Sequence, residues 1–431
     1  MAGEKSKKSF ELFTFPDGLR LITVPMGNTR SVTVLVLVAT GSRYENIKNS
    51  GVSHFLEHLM FKGTTRRPGS LDISHELDSI GADYNAFTSK EYTGYYVKCA
   101  DDKIDTAFDV ISDIFQNSKF DEKEMDKERG PIKEEINMYF DDPLSRVGLL
   151  FDELIYGDQP LGWNIAGKKE TVDVIRREDV VNYFSSHYFA KSTVICVAGN
   201  INLEAAKKRV AKYFNNAREA EIVKPIPAIS DQTAPRLKIF NKHTDQTHVN
   251  LGFRAYGCLH PRLDTLEALS FILGGGMSSR LFVEIREKRG LAYRIGTSTT
   301  SYNETGDFTV HAGLNNKNLV SALEITLKEI KRIASELVSE EELRRTKDYA
   351  KGRLAIALET SDAWASFYGQ QELLENRTLT PEEKLAKIMA VTREDIIETA
   401  RDILRPEKLN LAIVGPLKED DSGIKNILNS W

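Results

Sequence analysis

Arg177-Glu178-Asp179-Val180-Val181, followed farther on by Val197-Ala198-Gly199-Asn200-Ile201, is a stretch that the chain uses twice. Arg393-Glu394-Asp395-Ile396-Ile397 and Ile413-Val414-Gly415-Pro416-Leu417 repeat it at one shared offset of 216 positions. An offset common to two separated segments marks a duplication. Helix-start signals repeat at nearly that spacing: Asp121 with Glu124, and Ser339 with Glu342, each an acceptor followed three residues later by Glu. Between the copies runs Val223-Lys224-Pro225-Ile226-Pro227, continuing to Pro235. It holds three of the chain's 13 prolines, and proline-rich segments make semi-rigid spacers. The reading is a first half over 1–222, a linker over 223–235 and a second half over 236–431.

A chain of 431 residues exceeds one typical hydrophobic core, so two domains are the natural division. Apolar runs and alternation predict strands at 19–24, 32–39, 92–99 and 194–198 in the first half. The corresponding set in the second is 237–240, 248–253, 308–312 and 409–414. An alternating run opens at Asn85-Ala86-Phe87-Thr88 and reads as one strand continuing to Val97. Helical periodicity covers 71–80, 104–115, 319–337 and 381–389. The order predicts an α+β class, with each half an antiparallel-rich mixed sheet backed by helices.

The halves differ in one respect. His54-Phe55-Leu56-Glu57-His58 occurs only in the first. If 50–61 is helical, the two histidines lie one turn apart on one face and can grip a divalent ion. Glu57 projects near that face. The order reverses His-Glu-x-x-His and is the inverzincin signature. In such sites a metal lowers the pKa of a water to roughly 7, and a carboxylate takes the proton. A pair of histidines one turn apart also arises by chance, so a third ligand is required. Downstream lies Glu128-Arg129-Gly130-Pro131-Ile132-Lys133-Glu134-Glu135, in a run opened by Asp121. Glu128 and Glu135 are two turns apart and share a face, although Pro131 removes the bond to the Lys127 carbonyl and can kink the helix between them. The bland alternative is a solvated acidic face.

With these motifs the chain resembles the pitrilysin-type metallopeptidases, in the branch of the mitochondrial processing peptidase β-subunit and its single-chain bacterial relatives. That family places its third ligand some seventy-five residues beyond the His-x-x-Glu-His motif, and 76 residues separate His58 from Glu135. The resemblance implies that His54, His58 and Glu135 bind one Zn2+ per chain, that Glu57 is the general base and that Glu128 is an auxiliary acid. It makes the strand carrying Asn85, Ala86 and Phe87 an exposed edge to which substrate adds as a further strand, main chain to main chain. It assigns Arg286 and Tyr293 to the substrate carbonyl and developing oxyanion. It further implies two halves closing like a clam around a chamber. The expected activity is endoproteolysis of extended, unstructured peptides or presequence-like segments. The alternative is a catalytically inactive or partner-dependent scaffold subunit of the same fold. A homodimer is expected, with a heterodimer with a related chain as the other arrangement.

Composition argues against nucleic-acid and membrane partners, and the peptide partner is what the resemblance implies. A net charge of −5 leaves no nucleic-acid footprint. The longest apolar stretch, 32–39, is a buried strand and far short of a membrane span. Residues 1–8 lack a following apolar region, so no secretory signal is expected, and the expected location is cytoplasmic, with a mature organelle form as the alternative. Cys99, Cys196 and Cys258 have neither metal spacing nor an even framework and suit a reducing compartment. His243, His248, His260 and His311 never form the paired motif, and His75 and His187 read as structural. Gly274-Gly275-Gly276 continues Met-Ser-Ser-Arg without a P-loop lysine and reads as a hinge or substrate-facing turn.

Overall fold

The structure, a computed structural model, describes residues 9–215, 218 and 220–431, apart from the Asn429 side chain. The expectation about a secretory signal falls on residues 1–8, outside the described residues. In chain order the strands are β1 (Glu11–Thr14), β2 (Arg20–Pro25), β3 (Ser31–Val38), β4 (Asp83–Thr88), β5 (Thr93–Ala100) and β6 (Thr193–Gly199). They continue with β7 (Arg236–Asn241), β8 (Gln246–Ala255), β9 (Ala292–Ser301), β10 (Gly306–Asn315) and β11 (Asn410–Gly415). The helices are α1 (Val52–Met60), α2 (Ser70–Ser79), α3 (Ile104–Asn117), α4 (Glu122–Asp141), α5 (Pro143–Tyr156), α6 (Lys169–Val174), α7 (Arg177–His187) and α8 (Leu203–Tyr213). After them come α9 (Leu263–Gly274), α10 (Leu319–Ser335), α11 (Glu340–Ala357), α12 (Ser361–Glu375), α13 (Pro381–Ala390), α14 (Arg393–Ile403) and α15 (Ser422–Ser430).

Two compact units emerge, and neither is one continuous stretch. The first takes the chain up to Ile136, then Asn164–Ile226 and Leu354–Pro381. Its six-stranded sheet has the order β1-β2-β6-β3-β5-β4, with β2 and β6 parallel and the other neighbours antiparallel. Strand period sends Val32, Val34 and Val36 to one face, with the buried side chains of α1, α3 and α7. Leu35 and Leu37 go to the other, where Ala365, Tyr368 and Leu373 of α12 cover them. Burial on both faces explains why 32–38 reads as a near-continuous apolar run.

The second unit takes Asn137–Trp163, Pro227–Arg353 and Glu382–Trp431. Its sheet order, β7-β11-β8-β10-β9, repeats five strands of the first, again with one parallel pair, β7 and β11. One face packs on α9, α10, α14 and α15, and the other on α5. With the exception of the strand read over 85–97, the strands and helices anticipated from sequence appear within a few residues of their expected ends. The α+β duplication is therefore correct as read.

One reading needs correction. Residues 85–97 do not form a single strand: β4 ends at Thr88 and folds back on β5, pairing Asp83 with Lys98 and Thr88 with Thr93. The alternation in sequence passes through the turn without a break, but the chain does not. The turn is fixed from outside, where the Ser42 and Arg43 N–H groups donate to the Ser89 and Lys90 carbonyls at 3.1 and 2.8 Å. This leaves β4 as an edge strand.

Candidate metal centre

The helix that carries the histidine pair is started with unusual care. Gly51 precedes it at φ 96°, a left-handed conformation that an L side chain resists. A Cβ there would also lie 2.7 Å from the Ala166 carbonyl oxygen. The buried Glu45 carboxylate then caps the first turn, accepting from the Gly51 N–H at 2.7 Å, the Ser53 N–H at 2.9 Å and the Ser53 hydroxyl. Val52, Phe55, Leu56 and Leu59 turn into the core, which leaves His54, Glu57 and His58 along one side. Helix α4 supplies the facing wall. Its buried stripe is Met125, Glu128, Ile132 and Ile136, so Glu128 belongs to the face that packs inward. Helix α4 runs unbroken through Pro131, which is exposed, and Asp121 caps its start by accepting from the Lys123 N–H at 2.9 Å. Arg129 anchors the middle, donating to the Ile175 carbonyl at 2.8 Å and lying over the Phe55 ring of α1.

These two helices bring the predicted ligands together. His54 Nε2 lies 3.4 Å and His58 Nε2 3.6 Å from Glu135 Oε2. One donor atom from each of the three residues falls within 4.8 Å of the others, a spacing that one ion can span. Glu134, the neighbour that could be mistaken for Glu135, is exposed. Glu128 does not join the three. It accepts at 2.9 Å from His58 Nδ1 and pairs with Lys62 at 2.6 Å. A carboxylate on the far nitrogen of a histidine fixes ring orientation and leaves Nε2 free to face an ion.

Charge in the cluster fits the same use. Burial alone would lower the His58 pKa, but the bonds to Glu128 and Glu135 and the nearby Glu57 charge outweigh it and raise it to about 9. Burial likewise opposes the charged form of Glu128, yet His58 and Lys62 hold its carboxyl below the usual range. The site is thus built to be neutralised by positive charge. A proton on His58 provides it, and a divalent cation would provide it better. Two imidazoles and a carboxylate, with a buried His54 Nδ1 that has no hydrogen-bond partner among the described residues, suit zinc by donor type.

The remaining candidates divide. Glu57 is half-buried, and its Oε2 accepts from the Thr88 hydroxyl at 2.5 Å. On β4, Tyr84 and Ala86 pack towards the cluster that includes α1, whereas Phe87 packs against the opposite cluster and the Tyr92 ring. Asn85 is exposed, and its Oδ1 accepts from the Ala86 N–H at 2.9 Å. In the second unit, Arg286 lies on a π-helical turn, Phe282–Glu287, and donates to the Tyr293 carbonyl at 2.8 Å. Tyr293 is the second residue of β9 and is 78% exposed. Sequence reading gave no role to Thr88, Lys62 or Glu45. Only Thr88 carried a usable signal, since it stands two residues from Ala86 and so on the same strand face.

Comparison with known proteins identifies the family and the fold. The insulinase (peptidase family M16) domain model matches residues 21–169, and the peptidase M16 inactive-domain model matches 175–349. An uncharacterized zinc protease of Streptomyces coelicolor is 35% identical over 425 residues, covering 97% of this chain and 92% of that protein. One from Bacillus subtilis is 35% identical over 406 residues, covering 94% and 98%. Among solved structures, a protease from Helicobacter pylori superposes with a TM-score of 0.88 at 23% identity, over 94% of this chain and 99% of that one. A peptidase M16 inactive domain from Pseudomonas fluorescens gives 0.87 at 16%, over 96% and 99%. At those identities the two structures speak for the fold. With relatives of this similarity along nearly the whole chain and both family models matched in order, the chain belongs to peptidase family M16, the pitrilysin-type metallopeptidases.

Proposed function

We propose that the protein is a zinc-dependent endopeptidase that cleaves extended, unstructured peptides or presequence-like segments, with one zinc per chain on His54, His58 and Glu135. The observation that carries this reading is the convergence of those three donors beside a fourth side chain, Glu57, that is not one of them. Bound zinc supplies Lewis-acid activation of a water and of the scissile carbonyl. The protein's own groups do the rest. Glu57 is the proton acceptor for the attacking water and returns the proton to the leaving amine. Glu128 holds His58 through Nδ1 and keeps its ring in place.

The edge strand β4 is the proposed rail for the peptide. Main-chain bonds to an edge hold an extended segment with little regard to its sequence, which suits a processing enzyme. Pairing there requires the Ala86 N–H to exchange its present bond to Asn85 Oδ1 for one to the substrate. Arg286 and Tyr293 are proposed as substrate-side donors on the strength of the family resemblance.

Glu57→Gln separates binding from chemistry. It should keep zinc and fold while losing turnover of a fluorogenic peptide panel by roughly 10²–10⁴-fold. Near-normal hydrolysis would reject Glu57 as the base, whereas a parent protein that binds zinc yet cleaves no peptide of the panel would favour the inactive-scaffold reading.

A further inference from the structure

We propose that Thr88 is a positioning residue for the hydrolysis, its hydroxyl fixing the Glu57 carboxylate through Oε2 so that Oε1 is the oxygen that takes the proton. This deepens the peptidase reading and rests on it.

A glutamate has three rotatable bonds, and a half-buried one with nothing to hold it samples several rotamers. Among the described residues, Thr88 is the only hydrogen-bond partner of Glu57. The 2.5 Å separation is in the range of a charge-assisted O–H···O⁻ bond. Thr88 is well suited to act as an anchor. It is β-branched, with a stiff χ1. It is the last residue of β4 and pairs with Thr93, which is fully buried and donates its own hydroxyl to the Thr40 carbonyl at 2.9 Å.

Both partners of the bond are held by one loop. Residues 42 and 43 bind the turn that follows Thr88, and Arg43 forms a buried ion pair with Glu91 just beyond it. Two residues farther along, Glu45 caps α1, the helix that carries Glu57. Strand and helix are therefore set in register by the same few residues, and the Thr88–Glu57 bond is where that register reaches the base. The strand proposed to receive peptide thus also carries the hydroxyl that orients the proton acceptor. Substrate register and base position then depend on one backbone.

The test is a set of variants of the full-length zinc enzyme. Thr88→Val removes the hydroxyl while keeping the branched shape. It should lower kcat by roughly 10–100-fold, the effect of losing a hydrogen bond to a charged group and misplacing a base, with KM changed less than about twofold. Zinc content by elemental analysis and Tm should match the parent, and Thr88→Ser should recover most of kcat. In a Glu57→Gln background, adding Thr88→Val should leave the residual rate unchanged, because Thr88 acts through Glu57. In that background, anisotropy of a labelled, uncleaved peptide should show the same affinity with and without the Thr88 change. An unchanged kcat in Thr88→Val, or an equal loss in both backgrounds, would overturn the proposal. If Thr88→Val unfolds, Thr88→Ala carries the same cycle. Should Glu57→Gln itself retain turnover, the assignment of Glu57 as base falls and takes the role of Thr88 with it, and a parent protein without peptidase activity would overturn the proposed function itself, both distinct from failure at Thr88 alone.

Discussion

The two units share a sheet and differ in what stands on it. The offset of 216 that relates the duplicated segments also carries β3 onto β8, α1 onto the second half of α9 and α4 onto α11. It takes His54 to Ser270, Glu57 to Leu273 and His58 to Gly274; the caps of α4 and α11, Asp121 and Ser339, lie 218 apart, and that spacing takes Glu128 and Glu135 to Thr346 and Arg353. None of these five positions carries a histidine or a carboxylate in the second unit. Gly274 shows that the difference is geometric as well as chemical. A Cβ at that position would lie 2.7 Å from the Thr297 backbone nitrogen of β9, so the helix approaches the strand too closely for any side chain. The apolar pattern that builds the sheet is common to both units, whereas the five polar positions of the cluster are particular to the first.

A second comparison concerns α5 and α12, which are also equivalent under the offset. Each covers the sheet of the opposite sequence half: α5 packs on β8 and β11, and α12 on β3 and β6. The largest predicted effect follows. A chain ending near Pro225 keeps all the proposed zinc donors but lacks α12, leaving Leu35, Leu37 and Cys196 without their cover. Each buried apolar side chain of leucine size contributes about 1.5–3 kcal/mol, so losing several is of the order of a whole domain's stability. Circular dichroism and gel filtration should show an aggregated or unfolded product, and adding residues 354–381 on a linker should recover folded protein. A monomeric, cooperatively folded truncation would show that α12 is dispensable.

Next in size is the contrast between ligands and their counterparts. Replacing His58 or Glu135 by Ala should abolish both bound zinc and peptide cleavage, since three protein ligands are the minimum for such a site. Arg353→Ala and Ser270→Ala, at the equivalent positions of the second unit, should leave zinc content at parental level. Full zinc in His58→Ala protein by elemental analysis would remove this ligand set.

The same contrast shows what sequence could convey. The duplication and most of the strands were legible because each depends on spacing along one element or on a repeated pattern, whereas the grouping of His54 and His58 with Glu135, on a separate helix, came only from the family resemblance. Pro131 raised the right question, and the answer lay in three-dimensional support: Arg129 and the buried stripe of α4 hold the helix on course. The reversal at Ser89 and the reciprocal placement of α5 and α12 left no local signal. Both are decided by partners far away in the chain, the former by the 42–43 loop and the latter by the uncovered face of a sheet. Thr88 was visible as a strand residue, but its bond to Glu57 spans 31 positions and no pattern announces it.

If Arg286 and Tyr293 serve the substrate, the second unit has kept part of the chemistry while losing the metal. Tyr293→Phe should then lower kcat/KM by roughly 10–10³-fold, the range for losing an oxyanion donor or part of its strength. Zinc content should not change. A parental kcat/KM would mean that the exposed Tyr293 and its carbonyl bond to Arg286 are structural.

The smallest expected effect compares two helix caps. Glu45 in the first unit and Glu342 in the second both accept bonds at a helix start, Glu342 from the Ser339 N–H at 2.8 Å. Their pKa values move in opposite directions. Burial lifts Glu45 from 4.5 to about 7, against the bonds from Ser53 and Gly51 and the nearby charge of Lys90. For Glu342, burial is outweighed by Arg280, which contacts it at 2.7 and 3.1 Å, and its pKa falls from 4.5 to about 2. Between about pH 4.5 and 7 the folded protein keeps a proton on Glu45 that the unfolded chain has released, so stability should decline as pH rises through that window. Glu342 does the reverse: its contribution is present above about pH 4.5 and is lost as pH falls towards 2. Each swing should amount to about 1–3 kcal/mol, allowing for partial exposure of Glu342. Urea unfolding at a series of pH values should show the neutral-side decline flattened in Glu45→Gln and the acid-side loss flattened in Glu342→Gln. Parental pH profiles in both variants would mean that neither cap titrates differently on folding. What separates the two caps is the guanidinium: with Arg280 beside it a buried cap stays charged, and without such a partner burial favours the proton.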